Sequence, residues 1–283
     1  MTPNDLDLIS QWISTADSLV IAAGAGMGVD SGLPDFRGNE GFWQAYPALG
    51  QAGMDFAAIA NGETFVCDPL LAWGFYGHRL KLYRASIPHE GFRILKQIGE
   101  RLEHGCFVVS SNVDGQFQKA GFSADHILEI HGSIHHLQCT QPCSSSIWSA
   151  DSLAVATDDA NCRWSGEKLP TCPQCGGIAR PNILMFNDLA WDSARTDRQQ
   201  RRWDTWLTKC SNPVVIEIGA GVDLPSIRAI SSSFKRRVIR INPRHAAIDR
   251  RLGVGLAMGA REALVEIARH LTRTGFLPAA IDE

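Results

Sequence analysis

The segment Ser18-Leu19-Val20-Ile21-Ala22-Ala23-Gly24-Ala25-Gly26-Met27-Gly28 constrains the fold more than any other part of the chain. An apolar, strand-like run leads straight into closely spaced glycines. Glycine has no Cβ, so the backbone turns sharply there and brings its N–H groups against phosphate oxygens, while a following helix N-terminus adds positive potential. A plain glycine-rich turn after a strand is the alternative at this level. The spacing Gly24, Gly26, Gly28, Gly32 departs from the GxGxxG dinucleotide fingerprint, and a Pro34-Asp35-Phe36-Arg37-Gly38 segment follows at once.

Strand-like apolar runs recur at Leu19–Ala23, Cys106–Ser110, Ile127–Ile130, Val214–Ile218 and Val238–Ile241, with helix-like stretches such as Glu90–Leu102 and Arg261–Leu271 between them. This alternation predicts an α/β fold, a Rossmann-like parallel sheet with helices on both faces. Ligands of such sheets bind at the carboxyl ends of the strands. Two segments break the pattern. Residues 41–88 are rich in aromatic residues and glycine and read as helical, and residues 137–180 hold five of the eight cysteines. The expected organisation is a nucleotide-binding domain from 1–40, 89–136 and 181–283, with a small domain made of a helical insertion (41–88) and a metal-binding module (137–180).

With 283 residues, 45% of them hydrophobic, the chain can fill a large core. Lys and Arg number 27 against 30 Asp and Glu, a net charge of −3, so neither a nucleic-acid nor a membrane partner is expected. The basic stretches Arg198–Arg202 and Lys235–Arg240 read as solvated faces. No apolar run is long enough to span a bilayer, and the start of the chain lacks signal-peptide features, so the expected setting is cytoplasmic.

Cys139-x3-Cys143 and Cys172-x2-Cys175 form two close pairs. Four thiolates on tight turns suit tetrahedral Zn²⁺ with no position left for water, which makes the metal structural. Cys162 lies between the pairs and is an alternative ligand; two pairs of unrelated buried thiols are the other reading. Cys67, Cys106 and Cys210 read as core residues.

The glycine block with its PDFRG segment resembles that of the sirtuin family. So do Ser111-Asn112-Val113-Asp114-Gly115 (family QNIDG), Glu129-Ile130-His131-Gly132-Ser133 (ELHGS), Arg180-Pro181-Asn182-Ile183-Leu184-Met185-Phe186 (RPxVVxF), Gly219-Ala220-Gly221 (GTS) and Ile241-Asn242 (IN). Order and spacing hold from Ser18 to Ala260. The resemblance implies NAD as cofactor and a protein acyl-lysine as substrate. The acyl oxygen attacks the anomeric carbon of NAD, nicotinamide leaves, and the acyl group ends on O-acyl-ADP-ribose. It further implies that His131 is the general base, that Asn112 and Asp114 hold nicotinamide and its ribose, and that Asp35, Phe36 and Arg37 form a loop over the reacting carbon. Gly24, Ala25, Gly26, Ser111, Val113, Gly219, Ala220, Gly221, Asn242 and Ala260 complete the cofactor contacts, and Phe186 contacts substrate.

Tyr76 and Arg79 stand three apart on one helical face, where a phenol and a guanidinium can take a carboxylate. The pair resembles the Tyr-x-x-Arg of desuccinylating and demalonylating sirtuins; alternatively Arg79 is solvated and Tyr76 packs in the core. The chain departs from the family pattern at Phe117, Ala220-Gly221, Gly28 and Asn187-Asp188. Its expected activity is that of a protein-lysine deacylase. An ADP-ribosyltransferase or NAD hydrolase on the same site, and a non-catalytic NAD or ADP-ribose sensor, are the rivals.

Overall fold

The computed structural model describes residues 3–34, 38–141, 143 and 146–278. Six parallel strands form the main sheet: β1 (Ser18–Ala23), β2 (Cys106–Ser110), β3 (Ile127–Glu129), β9 (Pro213–Ile218), β10 (Val238–Ile241) and β11 (Gly253–Leu256). Their order is β11-β10-β9-β1-β2-β3. Chain order reverses between β1 and β9, which opens a crevice beyond their carboxyl ends. All five strand runs expected from sequence are present; β11 is additional.

Residues along β1 alternate between two cores, as the period of two in a strand requires. Leu19, Ile21 and Ala23 pack with α1 (Pro3–Ser14), α7 (Glu90–Gly99) and α11 (Ala260–Arg273). Val20 and Ala22 face α9 (Ala194–Leu207) and α10 (Ser226–Ser233), where Trp203, Trp206 and Ile227 close the layer. Both faces are therefore covered, which explains why β1 is apolar from Leu19 to Ala23. Two expectations of solvated basic residues meet different outcomes. Arg240 is buried on β10, and its guanidinium donates through Nε and Nη2 to the two carboxylate oxygens of Glu217 on β9, at 2.7 and 2.9 Å. Arg198 and Arg202 stay accessible on α9.

A second core lies under α2 (Gly38–Ala45), α3 (Pro47–Gln51), α4 (Phe56–Ile59), α5 (Thr64–Cys67) and α6 (Pro69–Ala85). Asp68 caps α6 by accepting the Leu71 N–H at 3.1 Å, with Pro69 in the first turn. Antiparallel strands β4 (Gly132–Cys139), β5 (Trp148–Ser149) and β8 (Ala179–Ile183) form a three-stranded sheet in the order β5-β4-β8. A ribbon of β6 (Thr157–Asp158) and β7 (Arg163–Trp164) leans on α6. A Cβ on Gly74 would lie 2.1 Å from the Cys162 carbonyl oxygen, so only glycine lets α6 come this close. Cys162 itself is a core residue here, away from the other cysteine thiols. No helix among the described residues is long and apolar enough to cross a membrane.

Candidate active site

A cleft of about 630 Å³ opens at the carboxyl ends of β1, β2 and β9. Its floor is two loops in close apposition. The Gly24 N–H donates to Ile218 O at 2.9 Å and the Gly26 N–H to Gly219 O at 3.1 Å. A Cβ on Gly24 would meet the Ala220 Cα and the Gly219 carbonyl oxygen at 2.8 Å; Gly219 has φ +61° and would collide with Gly26. These glycines are needed for the approach itself. Ala25 lines the cleft, and no backbone acceptor among the described residues takes its N–H. Apposed glycine turns at a sheet's switch point, with such a backbone donor, fit a nucleotide diphosphate.

Gly24, Ala25, Gly219 and Gly221 line the cleft, and so do Ser111, Asn112, Val113, Asp114 and His131. Asn112 links two loops, its Nδ2 donating to Gly24 O at 3.1 Å. Asp114 accepts the Gln116 N–H at 2.9 Å, and burial pushes its carboxyl up to about 6. His131 follows β3 and precedes β4. Burial lowers its pKa, and a hydrogen bond with the Ser111 backbone opposes that shift.

Gly26, Ala220, Asn242 and Ala260 stand behind the lining. Asn242 is buried; it donates to Ala220 O at 3.0 Å and accepts the Arg244 and His245 N–H groups. It shapes the Gly219–Gly221 turn from below. Ala260 is packed in the core where α11 begins. Asp35, Phe36 and Arg37 lie outside the described residues.

Tyr76 and Arg79 meet on one wall of the cleft, and Phe186 joins them in the lining. Arg79 is only 7% exposed, so a solvated guanidinium is excluded. Its Nε and Nη2 donate to the Tyr83 hydroxyl at 3.0 and 2.6 Å, and the Phe75 ring centroid lies 5.3 Å from Cζ. The Tyr76 hydroxyl is shielded from solvent and has no hydrogen-bond partner among the described residues. Tyr83, one turn beyond Arg79, is a lining residue that the sequence reading passed over, although the spacing 76, 79, 83 marks one helical face. Asp188, at a departure from the family pattern, forms a buried pair with Arg180 at 2.8 Å and also accepts the Met185 and Ala190 N–H groups. It braces the turn after Phe186, where Asn187 has φ +52°.

The sulfurs of Cys139, Cys143, Cys172 and Cys175 lie within 4.8 Å of one another. Cys139 and Cys175 are 3.7 Å apart, Cys143 and Cys172 3.5 Å. Zn–S bonds of about 2.3 Å place tetrahedral sulfurs about 3.8 Å apart, so the four fit zinc as they stand. Hydrogen bonding from the Cys175 backbone brings the Cys172 thiol down to about 7, toward the thiolate a metal takes. Cys162 takes no part in the group.

The model of the Sir2 family matches residues 24–210. NAD-dependent protein deacylase 2 of Pseudomonas aeruginosa is 25% identical over 271 residues, covering 94% of this chain and 96% of its own length. The dog mitochondrial NAD-dependent protein deacylase sirtuin-5 is 32% identical over 186 residues, 61% of this chain and 57% of that protein. Among solved structures, a Sir2 homolog–NAD complex superposes with a TM-score of 0.72 at 23% identity, covering 95% of this chain and 94% of that one, a likeness of fold. On the family match, which spans well over half of its length, the chain belongs to the Sir2 family.

Proposed function

We propose that the protein is an NAD-dependent protein-lysine deacylase. The observation that carries this reading is the convergence of His131, Asn112 and Asp114 with the Gly24 and Gly219 turns in one cleft. Relatives spanning nearly the whole chain are named NAD-dependent protein deacylases, which supports the same reading. A pure sensor needs the glycine cradle but no base beside it.

NAD, when bound, supplies a carbon activated by a departing nicotinamide and a ribose hydroxyl that takes the acyl group. Gly24, Ala25, Gly219 and Gly221 would hold its diphosphate through backbone N–H groups. Asn112, fixed by Gly24 O, presents its remaining amide atoms to a carboxamide. His131 is neutral at pH 7 because burial disfavours its charged form, and a neutral imidazole is free to take a hydroxyl proton. Phe186 and Phe56 stack edge-on at 6.1 Å beside the acyl end of the cleft and exclude water there.

Arg79 gives that end its chemistry. A guanidinium held among aromatic rings in a low-dielectric wall pairs strongly with a carboxylate, so acyl groups ending in one, succinyl or malonyl, suit it. We assign residues 1–40, 89–136 and 181–283 to the NAD-binding domain, 41–88 to the helical insertion and 137–180 to the zinc module. Four cysteines grouped for a metal rather than paired as disulfides suit a reducing, cytoplasmic setting.

The test is product analysis with NAD and matched acetyl- and succinyl-lysine peptides. Nicotinamide release coupled to O-acyl-ADP-ribose is expected, abolished in His131→Ala while cofactor binding survives. Arg79→Met should lower turnover of the succinyl peptide at least tenfold more than that of the acetyl peptide. Nicotinamide release without loss of the acyl group would overturn the assignment in favour of ADP-ribosyl transfer or NAD hydrolysis.

A further inference from the structure

Behind the wall formed by Asp114 and Gly115 lies a second cavity, of about 800 Å³, between α9, β4 and the C-terminal ends of α6 and α8 (Gln116–Lys119). Its size is that of a small-molecule site. Five cationic side chains line it, Arg84, Lys119, Arg195, Arg198 and Arg202, against the carboxylates Asp114 and Asp151. The chain as a whole is acidic, at −3, so this concentration of positive charge runs against the average.

Three of the cations, Arg195, Arg198 and Arg202, are spaced i, i+3, i+7 and share one face of α9. Arg195 is engaged within the fold, Arg202 partly so, and Arg198 is not. Arg195 gives Nη2 to the buried Glu129 at 2.5 Å, while its Nη1 is shielded from solvent and has no hydrogen-bond partner among the described residues. His136 Nδ1, on the facing strand β4, is likewise buried without a partner among the described residues. Arg198 makes no ion pair or side-chain hydrogen bond among the described residues. Arg202 donates Nη2 to Ala124 O at 3.3 Å and its Nε lies 3.7 Å from Asp125, so Arg198, with Arg202 beside it, carries the cationic surface open to a ligand. Guanidinium forks pair with phosphate and carboxylate oxygens alike, and a cavity walled on several sides selects a compact molecule with more than one charge.

We propose that this cavity is a binding site for a small multivalent oxyanion, held by Arg198 and Arg202 on the cationic face of α9 and separate from the nucleotide cleft. Both cavities touch Tyr83 and Asp114, so they lie on opposite sides of one thin wall.

Isothermal titration calorimetry of the full chain with inorganic triphosphate and, separately, citrate tests this, at 150 mM salt and with saturating ADP-ribose in the cleft. One-site binding of at least one anion is expected, weakened tenfold or more in Arg198→Glu/Arg202→Glu and less in Arg198→Ala. Both positions are accessible, and a thermal melt of each variant checks that it folds. Preference for triphosphate or for citrate assigns the ligand to the phosphate or the carboxylate class. Absence of binding by both anions, undiminished binding by the double variant, or displacement by ADP-ribose would overturn the proposal. Because the readout is binding with the cleft filled, the result does not depend on the deacylase assignment.

Discussion

His131 and Asp114 set the acid side of the reaction from opposite directions. Burial lowers the histidine pKa and raises the carboxyl to about 6. A base must be unprotonated to act, so a depressed pKa keeps His131 competent below its ordinary 6.5. The expected kcat/KM is therefore flat from pH 8 to 7 and falls only in more acid solution, where Asp114 takes up a proton near 6 and His131 takes one below its ordinary 6.5. Initial rates across pH 5 to 8.5 measure this; an acid limb centred above pH 7 would contradict it. At this scale the motifs were readable because each couples a reactive residue to glycine or asparagine neighbours with special backbone needs. Residues whose role depends on burial were not. Arg240 looks like one more surface cation in Lys235–Arg240, yet it is buried against Glu217, a pairing visible only once β9 and β10 are in register. Tyr83 needed the helix phase of α6.

Helix α6 does two jobs at once. One face presents Tyr76, Arg79 and Tyr83 to the cleft, while Gly74 and Trp73 pack against the β6–β7 ribbon, with Trp73 and Trp164 edge-on at 5.9 Å. Gly74→Ala forces the helix off the Cys162 carbonyl. Overpacking of this kind typically costs about 1–3 kcal/mol, and the cost is expected here as a lower midpoint of urea unfolding at pH 7.5. An unchanged midpoint would mean the ribbon yields freely. Because α6 also carries Arg79, the same variant should raise KM for succinyl peptides more than for acetyl peptides. Helix α6 was legible as a helical stretch within 41–88, but its aromatic residues point in several directions. Its apolar periodicity is therefore weak, and the side meeting the metal module could not be read.

On the scale of the whole molecule, parallel sheet, covered faces and metal staple were all legible, since alternating apolar runs and paired cysteines are local patterns. The second cavity was not, because it is built from the ends of α6 and α8, from α9 and from β4, segments far apart in sequence. The metal site is expected to govern global stability. Cys172→Ser, or zinc removal by a chelator, should lower the melting temperature on the order of 5–10 °C, since each kcal/mol shifts domains of this size by about 2–4 °C and a structural metal contributes several. Zinc content measured beside the melt checks the link, and a metal-free variant with an unchanged melt would refute it.

Cys139 and Ala179 are paired neighbours across β4 and β8. The excursion between them therefore starts and ends at adjacent points, carries the other three metal ligands, and returns once on the way to add β5 to β4. An insertion with adjacent ends can be lengthened, shortened or exchanged between relatives without moving β4, whose first residue follows His131. The constraint on such exchange is α6. A transplanted module must bring a surface that leaves room for Gly74 and a partner for Trp73, so module and helix are expected to travel through evolution as a matched pair.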